Sequence, residues 1–302
     1  NPEDLREQVL AAALIDQIDA PLRTLLQRGL VYQLPVPREA VAVLCGDLDR
    51  LDAQMNRAIA LGLFAVSPNG ALYVPRILPI EPPNEAEEEL CRQAAQSLYR
   101  LWWEDAETSI EEQHLEMHRL ALLGKEGAIA SEIAYALAGR WRNASRYRDV
   151  VQLCKSTLVI SEDYKYLKEL AYSEMTLGNS EQADQYYERA ITLCPDDDEQ
   201  ERALIYHFLG MLKDAQGQVE EAIALYQQSL ELKERIGDVQ GKAATLHNLA
   251  ELYAQQGQVE EAIALYQQSL ELTERIGNVQ GKAATLHQLA GIYAQQGQVE
   301  EA

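Results

Sequence analysis

Residues 219–258 are followed by residues 259–298, and the two stretches differ only at Lys233/Thr273, Asp238/Asn278, Asn248/Gln288, Glu251/Gly291 and Leu252/Ile292. A fixed period of about 20–50 residues marks a repeat array, in which each unit buries its apolar face only against its neighbours. Stacked units make extended surfaces for holding partners and seldom a closed catalytic pocket.

Each unit reads as two helices. Gly241–Gln256 places Leu246, Leu249, Ala250 and Tyr253 on one face at spacings of three and four. Val259–Ile276 does the same with Ala262, Ile263, Tyr266, Leu270 and Leu272. Gly257 breaks the first helix, and Gly277 and Gly281 bracket the next turn, where a positive φ is least strained at glycine. Ala, Leu, Gln and Glu fill the segments between, all good helix formers. The spacing predicts a helical hairpin.

The residues of this hairpin resemble the tetratricopeptide repeat (TPR), whose pattern is W-x2-L-G-x2-Y on the first helix and A-x3-F on the second. Here Leu246-x2-Leu249-Ala250-x2-Tyr253 is followed by Ala262-x3-Tyr266, with the small Ser269 one turn on. The frame recurs as Tyr206-x2-Leu209-Gly210-x2-Lys213 with Ala222-x3-Tyr226. Upstream it reads Leu167-x2-Leu170-Ala171-x2-Glu174 with Ala183-x3-Tyr187, Ala190 and Pro195. The earliest copy is Ala134-x2-Leu137-Ala138-x2-Trp141 with Val150-x3-Cys154. The small residue of the first helix falls at 138, 171, 210, 250 and 290, in steps of 33, 39, 40 and 40. Later units exceed the usual 34 residues, which resembles the long-repeat variety of TPR. The resemblance implies an all-α fold, a right-handed superhelix of hairpins over residues 129–302, with the last of about five repeats cut short.

The chain carries 26 basic and 48 acidic residues, a formal charge of −22. Such a surface repels nucleic acid and anionic membranes and favours neutral or basic partners. The apolar runs Val9–Ile15 and Ile59–Val66 are far too short to span a bilayer. No charged-then-apolar signal segment opens the chain. Cys45, Cys91, Cys154 and Cys194 form no C-x-x-C and read as reduced core thiols of a cytoplasmic protein. The chain opens at Asn1-Pro2 and stops at Ala302, which aligns with Ala262 at the start of a second helix. Both ends are expected to be cut from a longer protein with further repeats.

Residues 1–80 differ in kind. Pro2–Gln17, Pro21–Gln33, Pro37–Leu44 and Leu48–Leu63 read as short amphipathic helices, the first three opening on proline. Leu63–Ser67 and Ala71–Val74 flank Pro68-Asn69-Gly70, the strongest short-range hairpin signal. Helices closed by one β-hairpin describe a winged-helix-like domain. Its seven arginines, no lysines and nine carboxylates supply little phosphate neutralisation, which weighs against DNA reading.

An acidic winged helix ahead of a helical array resembles bacterial signal-transduction ATPases with numerous domains, the STAND proteins that include the NB-ARC regulators. The stretches that carry this resemblance are Leu25-Leu26-Gln27-Arg28-Gly29-Leu30-Val31-Tyr32 with Leu34-Pro35-Val36-Pro37, Leu61-Gly62-Leu63, and Leu72-Tyr73-Val74-Pro75-Arg76. It implies an upstream nucleotide-binding domain in the full-length protein and repeats that sense a partner. The family's phosphate-sensing histidine has no counterpart near Val74-Pro75-Arg76, and no G-x4-G-K-[ST] occurs in the chain.

Glu81-Pro82-Pro83-Asn84 reads as a hinge, and Glu85–Trp103 and Ser109–Leu123 as the connecting helical pair of residues 81–128. Trp102-Trp103 reads as core. His114 and His118 lie one turn apart, without a third ligand, and read as an exposed helix face. His207, His247 and His287 recur every 40 residues because repetition copies any residue. They share a helical phase that, by the TPR resemblance, lines the concave groove. The groove candidates are Lys165, Lys168, Tyr172, His207, Met211, His247, Glu251, Gln255 and His287. A bland wetted surface is the alternative for the same positions. TPR domains that clamp a C-terminal carboxylate use Lys and Asn where His247 and Glu251 stand here, which speaks against that role.

There is no G-x-S-x-G, no H-E-x-x-H and no recognisable Cys–His signature. Glu220-Glu221 and Glu260-Glu261 open helices, where carboxylates favour the positive end of the dipole. The expected function is therefore a non-enzymatic module, without cofactor or metal, that holds a protein or peptide as the sensor arm of a larger STAND-type regulator. A free-standing TPR scaffold and a DNA-binding regulator acting through the wing are the alternatives.

Overall fold

A computed structural model describes residues 13–81, 88–105, 109–295 and 297. The chain divides into two compact units, Asn1–Arg140 with Leu153–Glu162, and Trp141–Gln152 with Asp163–Ala302. Within the expected first helix, residues 13–17 are helical, while residues 2–12 lie outside the described residues. So do residues 82–84 of the expected hinge and the stretch from 298 onward.

In the first unit, α1 (Ala20–Gly29) starts where Asp19 accepts a hydrogen bond from the Leu22 amide at 3.1 Å, with Pro21 in its first turn. Leu22, Leu25 and Leu26 share one face and are fully buried. After α2 (Arg38–Leu44) and α3 (Leu51–Ala60) come β1 (Ala65–Val66) and β2 (Leu72–Tyr73), paired antiparallel with Ala65 opposite Tyr73. Gly70, at φ +83°, closes the turn as its Asn-Gly sequence requires. Val36 adds a one-residue bridge, exchanging hydrogen bonds of 2.9 and 2.7 Å with Leu72. Pro35 and Pro37 have no N–H to donate, so the pairing stops at Val36. Helices followed by one small β-hairpin are the elements expected here from the sequence.

The rest of the first unit is helical. α4 (Glu88–Tyr99) runs into a π-helical turn, Arg100–Glu104, and then α5 (Glu111–Leu123) packs back on it. Gly124 permits that return, since a Cβ there would lie 2.4 Å from the Arg92 nitrogen. Trp102 is core, as expected, and Trp103 is half-buried, donating to Glu132 at 3.0 Å. His114 and His118 contradict the expectation of an exposed face, being only 5% and 4% exposed. Their turn faces inward, where His118 Nε2 meets the Thr157 hydroxyl at 2.8 Å and His114 Nε2 the Ser109 hydroxyl at 2.6 Å. Burial pushes the His118 imidazole down to about 4, so it packs as a neutral ring. Between these histidines Glu116 is also buried and accepts from the Gln33 amide at 2.7 Å.

α6 (Gly127–Asn143) and α7 (Tyr147–Thr157) contribute residues to both units. The second unit is a solenoid of helical hairpins. α8 (Tyr164–Thr176) pairs with α9 (Ser180–Leu193), α10 (Glu199–Ala215) with α11 (Val219–Ile236), and α12 (Val239–Gln255) with α13 (Val259–Arg275). α14 (Val279–Gln295) packs on α13. Asp163, Asp198 and Asp238 cap the first helices by accepting from amides of Lys165, Glu201 and Gly241, and Asn278 accepts from Gly281 in the same way. Gly257 and Gly277 turn the chain at φ +77° and +69°, as expected. Gly281 does not turn it, because it sits in the first turn of α14.

The hairpins close around a tyrosine. Tyr226 of α11 lies so near Gly210 of α10 that a Cβ there would fall 2.8 Å from its ring, which explains the small residue at this point of the repeat. The next unit places Tyr266 in one cluster with Ala250, Ala262 and Leu289. Ser229 and Ser269 fasten second helix to first by donating to the Ala203 and Ala243 carbonyls at 2.8 and 2.9 Å. Cys45, Cys154 and Cys194 are buried and Cys91 half-buried, none of them in a disulfide, and burial raises Cys45 and Cys194 to about 11. Among the described residues no helix is long and apolar enough to cross a membrane.

Leu252 is fully enclosed in the cluster of Ala222, Tyr226 and Leu249. Leu252→Ala is expected to cost about 2–5 kcal/mol in urea unfolding, through lost transfer energy and the cavity left behind. A cost below about 1 kcal/mol would show that this cluster is not packed as described.

Candidate functional site

Four first helices of the second unit carry the groove candidates. Lys165, Lys168 and Tyr172 lie on α8 at spacings that share a face, His207 and Met211 lie one turn apart on α10, and His247, Glu251 and Gln255 follow at successive turns of α12. His287 takes the matching place on α14. Successive first helices touch through these positions. His207 Nδ1 meets the Thr245 hydroxyl at 2.9 Å, and His247 Nδ1 meets the Thr285 hydroxyl at 3.1 Å. The recurring histidine therefore pins each first helix to the next.

Depth separates the nine candidates. Lys168 is only 3% exposed, with its ammonium 2.5 Å from Glu201 and 3.4 Å from Glu169. His207 is 8% exposed, and burial lowers its imidazole to about 3. Met211 packs against the cluster of Ala222, Tyr226, Leu249 and Leu252. Little of Lys168 or His207 is left for a partner to touch, which corrects the expectation that both present a free surface. The adjoining repeat covers them. Lys165, Tyr172, His247 and Glu251 are half-buried, and Gln255 and His287 exposed.

Residues outside the expected set complete this face. Tyr172 meets Phe208 edge-on at 5.1 Å, Phe208 meets His207 at 5.4 Å, and Tyr147 approaches Tyr172 at 6.3 Å. The Arg142 guanidinium lies 5.4 Å from the Tyr172 ring and 6.0 Å from the Phe208 ring, and pairs with Glu169 at 3.2 Å. Arg142, Tyr147, Tyr172 and Phe208 are all half-buried, so the stripe keeps an open edge. A signal for Phe208 was available, as it stands where the later units carry Asn248 and Gln288.

Lys233 is the other group that the repeat frame did not flag. It is 1% exposed, and its ammonium donates to the Thr245 hydroxyl at 2.7 Å and to the Gly241 carbonyl at 3.3 Å. The lysine, threonine and His207 thus form one buried chain. Desolvation pulls the ammonium down to about 8 from the ordinary 10.5. No group of three or more His, Cys, Asp or Glu side chains among the described residues could hold a metal.

Known proteins bear on this geometry. Residues 165–235 and 241–302 match the sequence pattern of the tetratricopeptide repeat, so the second unit carries such repeats. A search of curated proteins gave no match. Among solved structures, BtubC (BKLC) from P. vanneervenii is 19% identical, with a TM-score of 0.52 over 72% of this chain and 86% of that one. A Signal Transduction ATPase with Numerous Domains (STAND) protein with a tetratricopeptide repeat sensor, from Pyrococcus horikoshii, is 15% identical, with a TM-score of 0.51. That likeness covers 96% of this chain, which spans half the length of the archaeal protein. At such identities the likeness is one of fold. A protein-interaction scaffold is what these repeats imply.

The folded chain holds the Lys233 proton less tightly than the unfolded chain, so stability falls as pH drops from about 10.5 to about 8 and stays reduced below. Lys233→Met keeps the stem without the charge and is expected to flatten this pH dependence in parallel chemical denaturations between pH 8 and 10.5. A variant whose stability rises with pH as steeply as the parent's would mean that the lysine is not desolvated.

Proposed function

We propose that the second unit binds a protein or peptide along the face formed by its first helices. The observation that carries this reading is the half-buried stripe of Arg142, Tyr147, Tyr172 and Phe208, continued by His247, Glu251, Gln255 and His287. Rigid aromatic rings with one open edge make good anchors, since little side-chain freedom is lost when they are covered. Lys165 adds a cation at one end, while Lys168, His207 and Met211 hold the stripe from behind. Two of the five differences between the near-identical units, Asn248/Gln288 and Glu251/Gly291, also fall on this face. The −22 charge favours a basic or neutral partner over nucleic acid or an anionic membrane.

In this reading the chain is the sensor and scaffold region of a larger cytoplasmic STAND-type regulator. Residues 1–80 are a winged-helix relay, 81–128 a connector, and 129–302 the non-enzymatic array. The overlay on the Pyrococcus horikoshii STAND protein supports the assignment, and an upstream nucleotide-binding domain goes with it. A free-standing scaffold lacks that domain. DNA binding through the wing is disfavoured because Arg28, Arg38 and Arg57 pair with Asp47, Asp52 and Asp19, and Arg76 donates to the Tyr32 carbonyl.

Peptides selected on the immobilised chain should bind through the stripe. Tyr172→Ala and Phe208→Ala are each expected to weaken a selected peptide about tenfold or more in fluorescence polarisation, and Glu181→Ala to leave it unchanged. Selected peptides that bind all three variants equally would remove this face as the site. Salt-sensitive binding of duplex DNA by the whole chain would instead favour the wing.

A further inference from the structure

The two near-identical units build the same frame around one buried point and fill it differently. In the first, Ser229 is bonded to the Ala203 carbonyl, His207 to Thr245, and Asp238 to the Gly241 amide. In the second, Ser269, His247 and Asn278 make the same bonds to Ala243, Thr285 and Gly281, within about 0.2 Å in length. Lys233 fills the centre of the first frame, its ammonium on Thr245 and Gly241. Its counterpart in the second frame is Thr273, whose hydroxyl folds back onto the Leu270 carbonyl at 2.8 Å.

A cavity of about 210 Å³ stands in the second frame, lined by His247, Ser269, Thr273, Asn278, Gly281 and Thr285 among others. Thr285 is 1% exposed, and its hydroxyl is the counterpart of the one that accepts from Lys233. Both glycines are needed for this geometry. A Cβ on Gly241 would lie 3.0 Å from Lys233 Cε, and one on Gly281 3.0 Å from Thr273 Cγ2. The first unit therefore shows, within the same chain, what the second frame is shaped to receive.

We propose that the cavity between α12, α13 and α14 receives a lysine side chain of a bound basic peptide, its ammonium donating to the Thr285 hydroxyl and the Gly281 carbonyl. This rests on the reading that a peptide lies along the first helices, and it adds a specificity pocket to that face. Two features select the occupant. The cavity offers a primary ammonium the hydroxyl and carbonyl that correspond to the acceptors of Lys233, with the Asn278 amide where the preceding repeat has the Asp238 carboxylate. The strongly acidic chain raises the local concentration of cations around it.

The probe is N-acetyl-lysine methylamide, compared with the norleucine analogue that keeps the stem and loses the ammonium. Threonine methyl NMR of the whole 302-residue chain follows Thr273 and Thr285 at pH 7. The lysine probe is expected to shift both signals at concentrations at least tenfold lower than norleucine. Thr273→Lys fills the cavity from within, and Thr273→Lys with Asn278→Asp copies the preceding unit, so one of the two should fold even if the other does not. The Thr285 shift should disappear in whichever variant folds. An equal response to norleucine, or an unchanged response in the filled variants, would overturn the inference. A selected peptide that binds the filled variants as tightly as the parent leaves the first-helix face standing and removes this pocket. A lysine probe that binds the pocket while no peptide is ever selected does the reverse for the groove.

Discussion

A tyrosine ring pressed onto a residue with little or no side chain holds each hairpin of the array together. Tyr226 leaves no room for a methyl group in its path at Gly210, and Tyr266 shares its cluster with Ala250. This contact sets how closely the two helices of a hairpin approach. The next first helix then packs over the pair through residues such as Leu249 and Leu252. Because each unit is finished only by its neighbour, the serine–carbonyl and histidine–hydroxyl bonds recur from one unit to the next. Remove the close approach and the spacing of the first helices goes with it.

Repetition of this framework leaves few places where units can differ. Lys233/Thr273 and Asp238/Asn278 set a sealed core against a cavity while the surrounding bonds keep their lengths within about 0.2 Å. The more divergent units place Phe208 where the later units have Asn248 and Gln288, and Tyr172 where they have Glu251 and Gly291. The frame carries the fold, and the departures from it carry the chemistry available to a partner.

Much of this was legible in the chain. Apolar spacing of three and four located the hairpins, and the glycines at 257 and 277 located two of the turns, because both signals are local. The Asn-Gly pair placed the β-hairpin, while the Val36 bridge was hidden since its partner lies 36 residues away and prolines flank it. Helical phase gives the direction of a side chain and says nothing of what covers it. His114 and His118 read as exposed from sequence because their own helix cannot reveal Thr157 or Ser109. Lys168 and His207 read as groove residues for the same reason, their covers being Glu201 and Thr245, each on the next first helix. Phe208 and Lys233 break the repeat pattern, and comparing the units position by position would have found both.

The central claim is that partners are held by the first helices of the second unit. Hydrogen–deuterium exchange of the whole chain, with and without a selected basic peptide, tests it most directly. The account predicts added protection concentrated in α8, α10, α12 and α14 and around Arg142 and Tyr147. Protection concentrated in α9, α11 and α13, or in the β1–β2 hairpin of the first unit, would contradict it.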